Sequence, residues 1–307
     1  MSGPDEAPRS RSGENEQRQR RGRERPPLPE PLPHPVVDNH CHLDISRDDW
    51  SDGDRLDGDR LETGEAIARA AAVGVRRIVQ IGCDLSGAAW AVEAAREHAA
   101  LVAGVALHPN EAPRLAVEGR LDEALAEIER LAQAHEKVRA VGETGLDFYR
   151  TGPEGRDAQV ESFVRHIELA KRLDRTLVIH DRDAHDAMLD VVDAEGAPER
   201  WVMHCFSGNP RFAGACLDRG AYLSFAGTVT FRNSQPLRDA LAVTPLDRVL
   251  VETDAPFLTP MPYRGRPNAS YLVPITVRAM AEARGDDLGT LCEAIDANTE
   301  AAFGGAW

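Results

Sequence analysis

Val138-Arg139-Ala140-Val141-Gly142-Glu143, then a helical pattern over residues 157–173, then Thr176-Leu177-Val178-Ile179-His180: this unit of apolar run, helix and apolar run decides the fold. Near-continuous apolar strands separated by amphipathic helices are what a parallel sheet covered by helices requires, because both faces of each strand are buried. The unit repeats outward in both directions. Upstream, an apolar run from Val36 ends in His40-Cys41-His42; a helical pattern over 62–73 leads to a strand at 77–82, and one over 86–99 to a strand at 101–108, before helix 120–135. Downstream, helix 184–194 precedes strand 201–205, helix 210–218 precedes 221–225, and helix 234–242 precedes 249–254, with helices near 271–284 and 287–302 closing the chain. Eight strands in such a length favour an α/β fold of the (β/α)8 TIM-barrel type over an open doubly wound sheet; about 250 residues suffice for one. No Gly-rich dinucleotide fingerprint and no G-x-x-x-x-G-K-[ST] loop is present, which removes the main reason to prefer a nucleotide-binding sheet.

Residues 35–307 are therefore expected to form one barrel domain, and residues 1–34, rich in Arg, Glu and Pro, a disordered tail that cannot bury enough surface to offset its ordering entropy. An RNA-contacting arm through Arg18, Arg20, Arg21, Arg23 and Arg25 is the functional alternative, but the interleaved Glu14, Glu16 and Glu24 favour a solvated tail. An acidic, Gly-containing loop is expected at 45–60. No apolar run approaches the roughly 20 residues that span a bilayer, and no secretory h-region precedes the barrel. Five scattered cysteines without a C-x-x-C pair fit reduced thiols, so a cytoplasmic protein without a membrane or an obligate protein partner is expected. The net charge of −15 argues against broad wrapping of nucleic acid, yet does not exclude an enzyme that meets a phosphate locally.

The chemistry-bearing residues fall at one place in each unit, the carboxyl end of a strand: His40 and His42, His108, Glu143 and Asp147, His180, His204, and Asp254. In His40-Cys41-His42 the strand period of two turns both imidazoles to one face and Cys41 to the other. Each residue alone has an ordinary explanation: His108 before Pro109 as a loop cap, Glu143 as an arginine partner, Asp254 before Ala255-Pro256 as a turn cap. Six or more metal-capable side chains at equivalent strand ends do not, because strand ends converge on the face where barrels build active sites. Four imidazoles and two carboxylates exceed the needs of one four-coordinate zinc and suit two divalent ions, with a carboxylate able to bridge. A mixed N/O ligand set accepts Zn, Mn, Co, Ni or Mg and does not select among them.

At these residues the chain resembles the TatD family of metal-dependent hydrolases, relatives of the amidohydrolase superfamily. Five blocks carry the resemblance in order: D-N-H-C-H-L-D (38–44), G-E-T-G-L-D-F-Y (142–149), I-H-D-R-D-A (179–184), M-H-C-F-S-G (203–208) and V-E-T-D-A-P-F-L-T-P (251–260), supported by A-L-H-P-N (106–110) and Y-R-G-R-P-N (263–268). The resemblance implies two divalent ions (Mg, Mn or Zn), with His40, His42 and Asp254 on one, His180 and His204 on the other, and Glu143 bridging. It implies that Asp254 also orients or deprotonates the attacking water. It further implies phosphodiester hydrolysis as a 3′-5′ exonuclease on single-stranded DNA or RNA. Arg182 and Arg264 are candidates for holding phosphate, since guanidinium forks match its geometry; His108 and Asp147 are candidate substrate contacts. Phe148 and Tyr149 are read first as aromatic packing and second as base-stacking surfaces. Asn39, where the family has a small residue, Thr144 after the Glu, and the loop after Asn268, which lacks a Glu-Pro, depart from the pattern. The competing expectations are removal of a D-amino acid from tRNA or another ester or amide hydrolysis, and, further off, a non-catalytic metal-binding protein.

Overall fold

The computed structural model describes residues 24–45 and 60–306. Eight strands, β1 (Val36–Cys41), β2 (Val75–Gly82), β3 (Leu101–Val105), β4 (Val138–Asp147), β5 (Thr176–Arg182), β6 (Trp201–Met203), β7 (Tyr222–Phe225) and β8 (Val249–Val251), pair in parallel in sequence order. The ring is drawn together between β8 and β1 by a bridge from Cys41 to Ala255, by His42 N donating to Ala255 O (2.8 Å) and by Asp254 N donating to His40 O (2.9 Å). Helices α1 (Thr63–Ala72), α2 (Leu85–Glu97), α3 (Glu111–Val117), α4 (Leu121–Ala132), α5 (Pro153–Leu173), α6 (His185–Glu195), α7 (Pro210–Leu217), α8 (Gln235–Val243), α9 (Val273–Arg284) and α10 (Leu288–Ala302) surround it, so the chain is a TIM barrel. Local chemistry sets several boundaries. The side chains of Asp84, Asn209 and Asp287 accept from Gly87 N, Phe212 N and Thr290 N at the starts of α2, α7 and α10, satisfying donors that have no intrahelical partner. Helix α9 stops at Gly285, in the left-handed conformation that glycine adopts without steric cost.

Strand alternation sorts the apolar residues into two layers. Val37, Val79, Ile81, Val102, Ala140, Val178, Val202 and Leu250 fill the barrel, joined by Ala302 and Phe303 from the end of α10. Residues one step away, such as Ile78, Leu177 and Ile179, pack outward against helix residues including Phe163, Ile167 and Met188. The barrel is thus a packed core, and the polar residues at its carboxyl end stand on a rigid base.

Three differences from the sequence expectations have local causes. Strand β4 runs on to Asp147 because Gly145, at φ 135°, has no Cβ to collide with the His180 carbonyl of the neighbouring strand. Helix α3 had no expected counterpart: its Pro113 reads as a breaker, yet it lies in the first turn, where no intrahelical donor is lost. The tail expected to reach residue 34 is packed in its last part: Tyr271 Oη donates to Pro26 O (2.7 Å), Arg278 Nη2 to Pro31 O (3.0 Å), Leu32 N to Val73 O (3.1 Å), and Leu32 is buried. Residues 1–23 and most of the expected 45–60 loop lie outside the described residues. Among the described residues no helix is long and apolar enough to cross a membrane.

One buried histidine ties α5 to the end of β3. His166 Nδ1 contacts Ser162 O at 2.6 Å and its Nε2 accepts from Leu107 N at 3.2 Å, so the ring is held neutral with its proton on Nδ1. Burial, with Arg165 nearby, pushes His166 down to about 4 from 6.5. Between those values the unfolded chain binds more protons than the folded one, so this contribution is fully present above about pH 6.5 and is lost as pH falls toward 4, roughly 3 kcal/mol in all. Unfolding free energies measured across that window are expected to fall less steeply for His166→Gln than for the parent chain.

Candidate metal centre

Glu143 is the centre of the site. Its carboxylate is buried at the end of the barrel axis, and its two oxygens face different histidines. Oε2 lies 3.3 Å from His40 Nε2 and 3.9 Å from His42 Nε2; Oε1 lies 2.6 Å from His180 Nδ1, 3.2 Å from His204 Nε2 and 3.4 Å from His108 Nε2. Asp254 completes the first group, with Oδ1 3.3 Å from His42 Nε2. Asp254 stands just past β8 at φ 53°, a left-handed conformation that Asp tolerates better than most residues. The donor atoms of His40, His42 and Asp254 all lie within 4.8 Å of one another, and so do those of His108, Glu143 and His180. The structure therefore brings all six expected ligand residues together and adds His108 beside them.

Hydrogen bonds to the far side of the His42 and His108 rings set which nitrogen carries the proton. His42 Nδ1 lies 2.9 Å from Ile81 O and is the donor there, which leaves Nε2 as the nitrogen that faces Asp254 and Glu143. His108 is different. Its Nδ1 accepts from Asn110 N (3.1 Å), so the neutral ring carries its proton on Nε2 and presents a donor to Glu143 rather than a lone pair. His40 is fully buried, stacks on His204 at 3.7 Å between centroids, and makes no hydrogen bond of acceptable geometry from either nitrogen.

The charges are mutually dependent. Burial alone would push Glu143 up, but His204, His108 and His180 more than offset it and hold the carboxyl well below its usual range. His204 is raised well above the ordinary imidazole value, because Glu252 and Glu143 outweigh its burial. His40 and His108 are lowered by burial, His40 also by the charge of His204. Buried imidazoles with unpartnered nitrogens around two carboxylates need positive charge between them, as protons or as cations. Nitrogen and oxygen donors at these spacings fit divalent ions, and the residues present match that group.

Several supporting residues were not expected from the sequence. Glu252 is fully buried: Oε1 accepts from Cys205 N (2.9 Å) and lies 3.0 Å from His204 Nδ1, an ion-pair distance whose angle falls short of a hydrogen bond, while Oε2 accepts from Ser224 Oγ (2.5 Å). It fixes the ring so that Nε2 points at Glu143. A Glu directly after the apolar run Val249–Val251 was the signal, since a charge buried there is costly unless partnered. Asp38 accepts from Thr253 N (2.9 Å) and Thr253 Oγ1 (2.6 Å), and Asn39 Nδ2 donates to Val251 O (2.6 Å) and Ser224 Oγ (2.7 Å), so the residues flanking His40 lace β1 to β8. Asn268 Nδ2 donates to Thr253 O and Phe257 O and anchors the loop after Asp254. Replacing Glu252 by Gln is expected to weaken divalent-ion binding by ~10- to 100-fold with little change in fold, read by ion titration against circular dichroism.

Above the cluster opens a pocket of about 590 Å³ lined by His42, His108, Glu143, His180, His204 and Asp254, with Asn110, Asp147, Arg150, Arg182 and Phe257 on its walls. Asp147 accepts from Arg150 N (2.9 Å) and Asn110 Nδ2 (3.2 Å) and lies 3.5 Å from His180 Nε2; despite its burial, His180 and these donors hold it down at about 2. Arg182 lies 3.8 Å over the ring of Tyr149, which is exposed and so is not the core aromatic expected. Phe148 packs partly buried under Arg156. Arg264 stacks on Phe231 instead and is not part of the pocket lining.

Comparison with known proteins gives a consistent family. Residues 37–304 match the family described as TatD related DNase. An uncharacterized metal-dependent hydrolase TatD of Mycobacterium tuberculosis is 43% identical over 276 residues, covering 89% of this chain and 99% of that protein. A 3′-5′ ssDNA/RNA exonuclease TatD of Escherichia fergusonii is 32% identical over 250 residues, covering 78% and 92%. Among solved structures, the TatD homolog YJJV from Escherichia coli K12 superposes with a TM-score of 0.77 at 27% identity, covering 87% of this chain and 97% of that one.

Proposed function

The chain belongs to the family of TatD-related DNases, metal-dependent hydrolases acting on ester bonds, and from that premise we propose that it removes nucleotides from the 3′ ends of single-stranded DNA or RNA through a site that holds two divalent ions. The observation that carries the reading is the division of Glu143: one carboxylate oxygen faces His40 and His42, the other faces His180 and His204. A carboxylate so placed is suited to link two cations, one among His40, His42 and Asp254, the other between His180 and His204. Ions held there would lower the pKa of a water and offset charge developing on phosphate oxygens.

The chain's own residues do the rest. Asp254 is held below the usual carboxylate range, because the hydrogen bond from His42 and the charges of His204 and His42 outweigh its burial. It is ionised at neutral pH, opens on the pocket, and serves to orient the attacking water and take its proton. His108, with its proton on Nε2, steadies the Glu143 oxygen that faces His180. Arg182 and Arg150 line the pocket wall where a phosphate would lie, and the exposed face of Tyr149 offers a surface for a base.

A panel of labelled single-stranded DNA, RNA and D-aminoacyl-tRNA, each with Mg, Mn or Zn, tests the reading. Release of mononucleotides from the two polynucleotides is expected. Release of product from the aminoacyl ester alone would assign the site to tRNA deacylation instead.

A further inference from the structure

Three arginines meet at the opposite mouth of the barrel. Arg139 lies at the start of β4, Arg175 immediately before β5 and Arg200 immediately before β6, so three adjacent strands deliver guanidinium groups to one place. They line a cavity of about 320 Å³ together with Asp174, Phe303, Gly304 and Gly305. Two of the three are committed. Arg139 Nη1 donates to Gly304 O (3.0 Å) and Phe303 O (3.4 Å), and Arg200 Nη2 donates to Asp174 O (2.7 Å) and Oδ1 (2.8 Å). The Arg175 guanidinium makes no ion pair or hydrogen bond among the described residues, and the Nε atoms of all three arginines are buried without a partner. One carboxylate thus faces three cations in a chain whose net charge is −15. Burial and the charges of Arg139 and Arg200 lower the Arg175 pKa, so its charge is held there against cost.

We propose that this cavity is an anion site for a phosphate group, free or as the end of a small phosphomonoester, with the Arg175 fork as its principal contact and the Arg139 and Arg200 edges beside it. Guanidinium is planar, permanently charged and matched to two phosphate oxygens at once, and here three adjacent strands bring such groups to one cavity. Arg139 shows the competing use, as a cap on the carbonyls that follow α10. Arg175 reaches none of those carbonyls, which is why the site is assigned through it. The cavity exceeds what one phosphate fills, so an attached organic group has room against Phe303. It lies at the amino ends of the strands, away from the metal centre, so its occupation does not compete with the reaction.

Thermal unfolding of the full chain, titrated with inorganic phosphate, with a nucleoside 5′-monophosphate and with chloride at matched ionic strength, tests the assignment. A saturable rise in midpoint with the two phosphates and none with chloride is expected; a tighter response to the nucleotide identifies a monoester as the ligand. Arg175→Gln is expected to weaken that response by ~10-fold or more while leaving hydrolysis unchanged. Without phosphate, its midpoint should equal or exceed that of the parent, because one of three neighbouring cations is gone. Arg175→Lys, which keeps the charge and loses the fork, should fall between them. Equal responses in parent and Arg175→Gln, or no saturable response, would overturn the proposal. A lower phosphate-free midpoint for Arg175→Gln with its response intact would assign Arg175 to the fold, and also overturns it.

Discussion

Asp254→Asn is expected to slow ester hydrolysis by ~10²- to 10⁴-fold while leaving the barrel folded. The substitution keeps the side-chain shape and the backbone bond from Asp254 N to His40 O, so the closure between β1 and β8 survives. What it removes is the negative charge that faces His42 and, on the proposed reading, the group that would take a proton from the attacking water. Because the loss falls on the reacting centre and not on the pocket walls, kcat should carry it and KM should change little. Rates measured beside circular dichroism and thermal unfolding separate the two effects. Activity within tenfold of the parent would remove Asp254 from the role given to it.

Glu143→Gln is the second large effect, and it reads out in ion binding before it reads out in rate. Five imidazoles surround this carboxylate, and three of them lie on one of its oxygens. An amide retains the volume but supplies one neutral acceptor oxygen and one donor nitrogen, so one side of the ring of histidines meets a group of the wrong polarity. Titration of the metal-stripped variant with Mn should show at least one ion lost or weakened by ~100-fold, and hydrolysis should fall with it. Unchanged ion binding would show that Glu143 links nothing.

The sequence made the barrel legible because its strands are apolar on both faces and its helices are spaced evenly, and a parallel barrel is what such a rhythm packs into. The same regularity made His40, His42, Glu143, His180, His204 and Asp254 visible, since each stands where an apolar run of the sequence gives way to polar residues. Glu252 was harder to read: it sits only two residues from Asp254, but its role depends on His204 and Ser224 arriving from β6 and β7, a relation across the sheet that no local pattern encodes. The tautomer of His108 depends in the same way on the turn that brings Asn110 N to its Nδ1. The packed segment from Pro26 to Leu32 was unreadable for another reason. Its prolines lack donors and its apolar content is low, so its order comes from Tyr271 and Arg278 on the barrel. Arg264 matched a motif by sequence, yet its guanidinium settles on Phe231.

The most direct measurement follows a 5′-labelled single strand incubated with metal-stripped protein as Mg or Mn is added back. The account predicts an intact strand without ions and stepwise shortening from the 3′ end as ions are restored, rising until two equivalents are bound. Shortening that persists after the ions are removed, or a strand that stays full length with both sites filled, would contradict it.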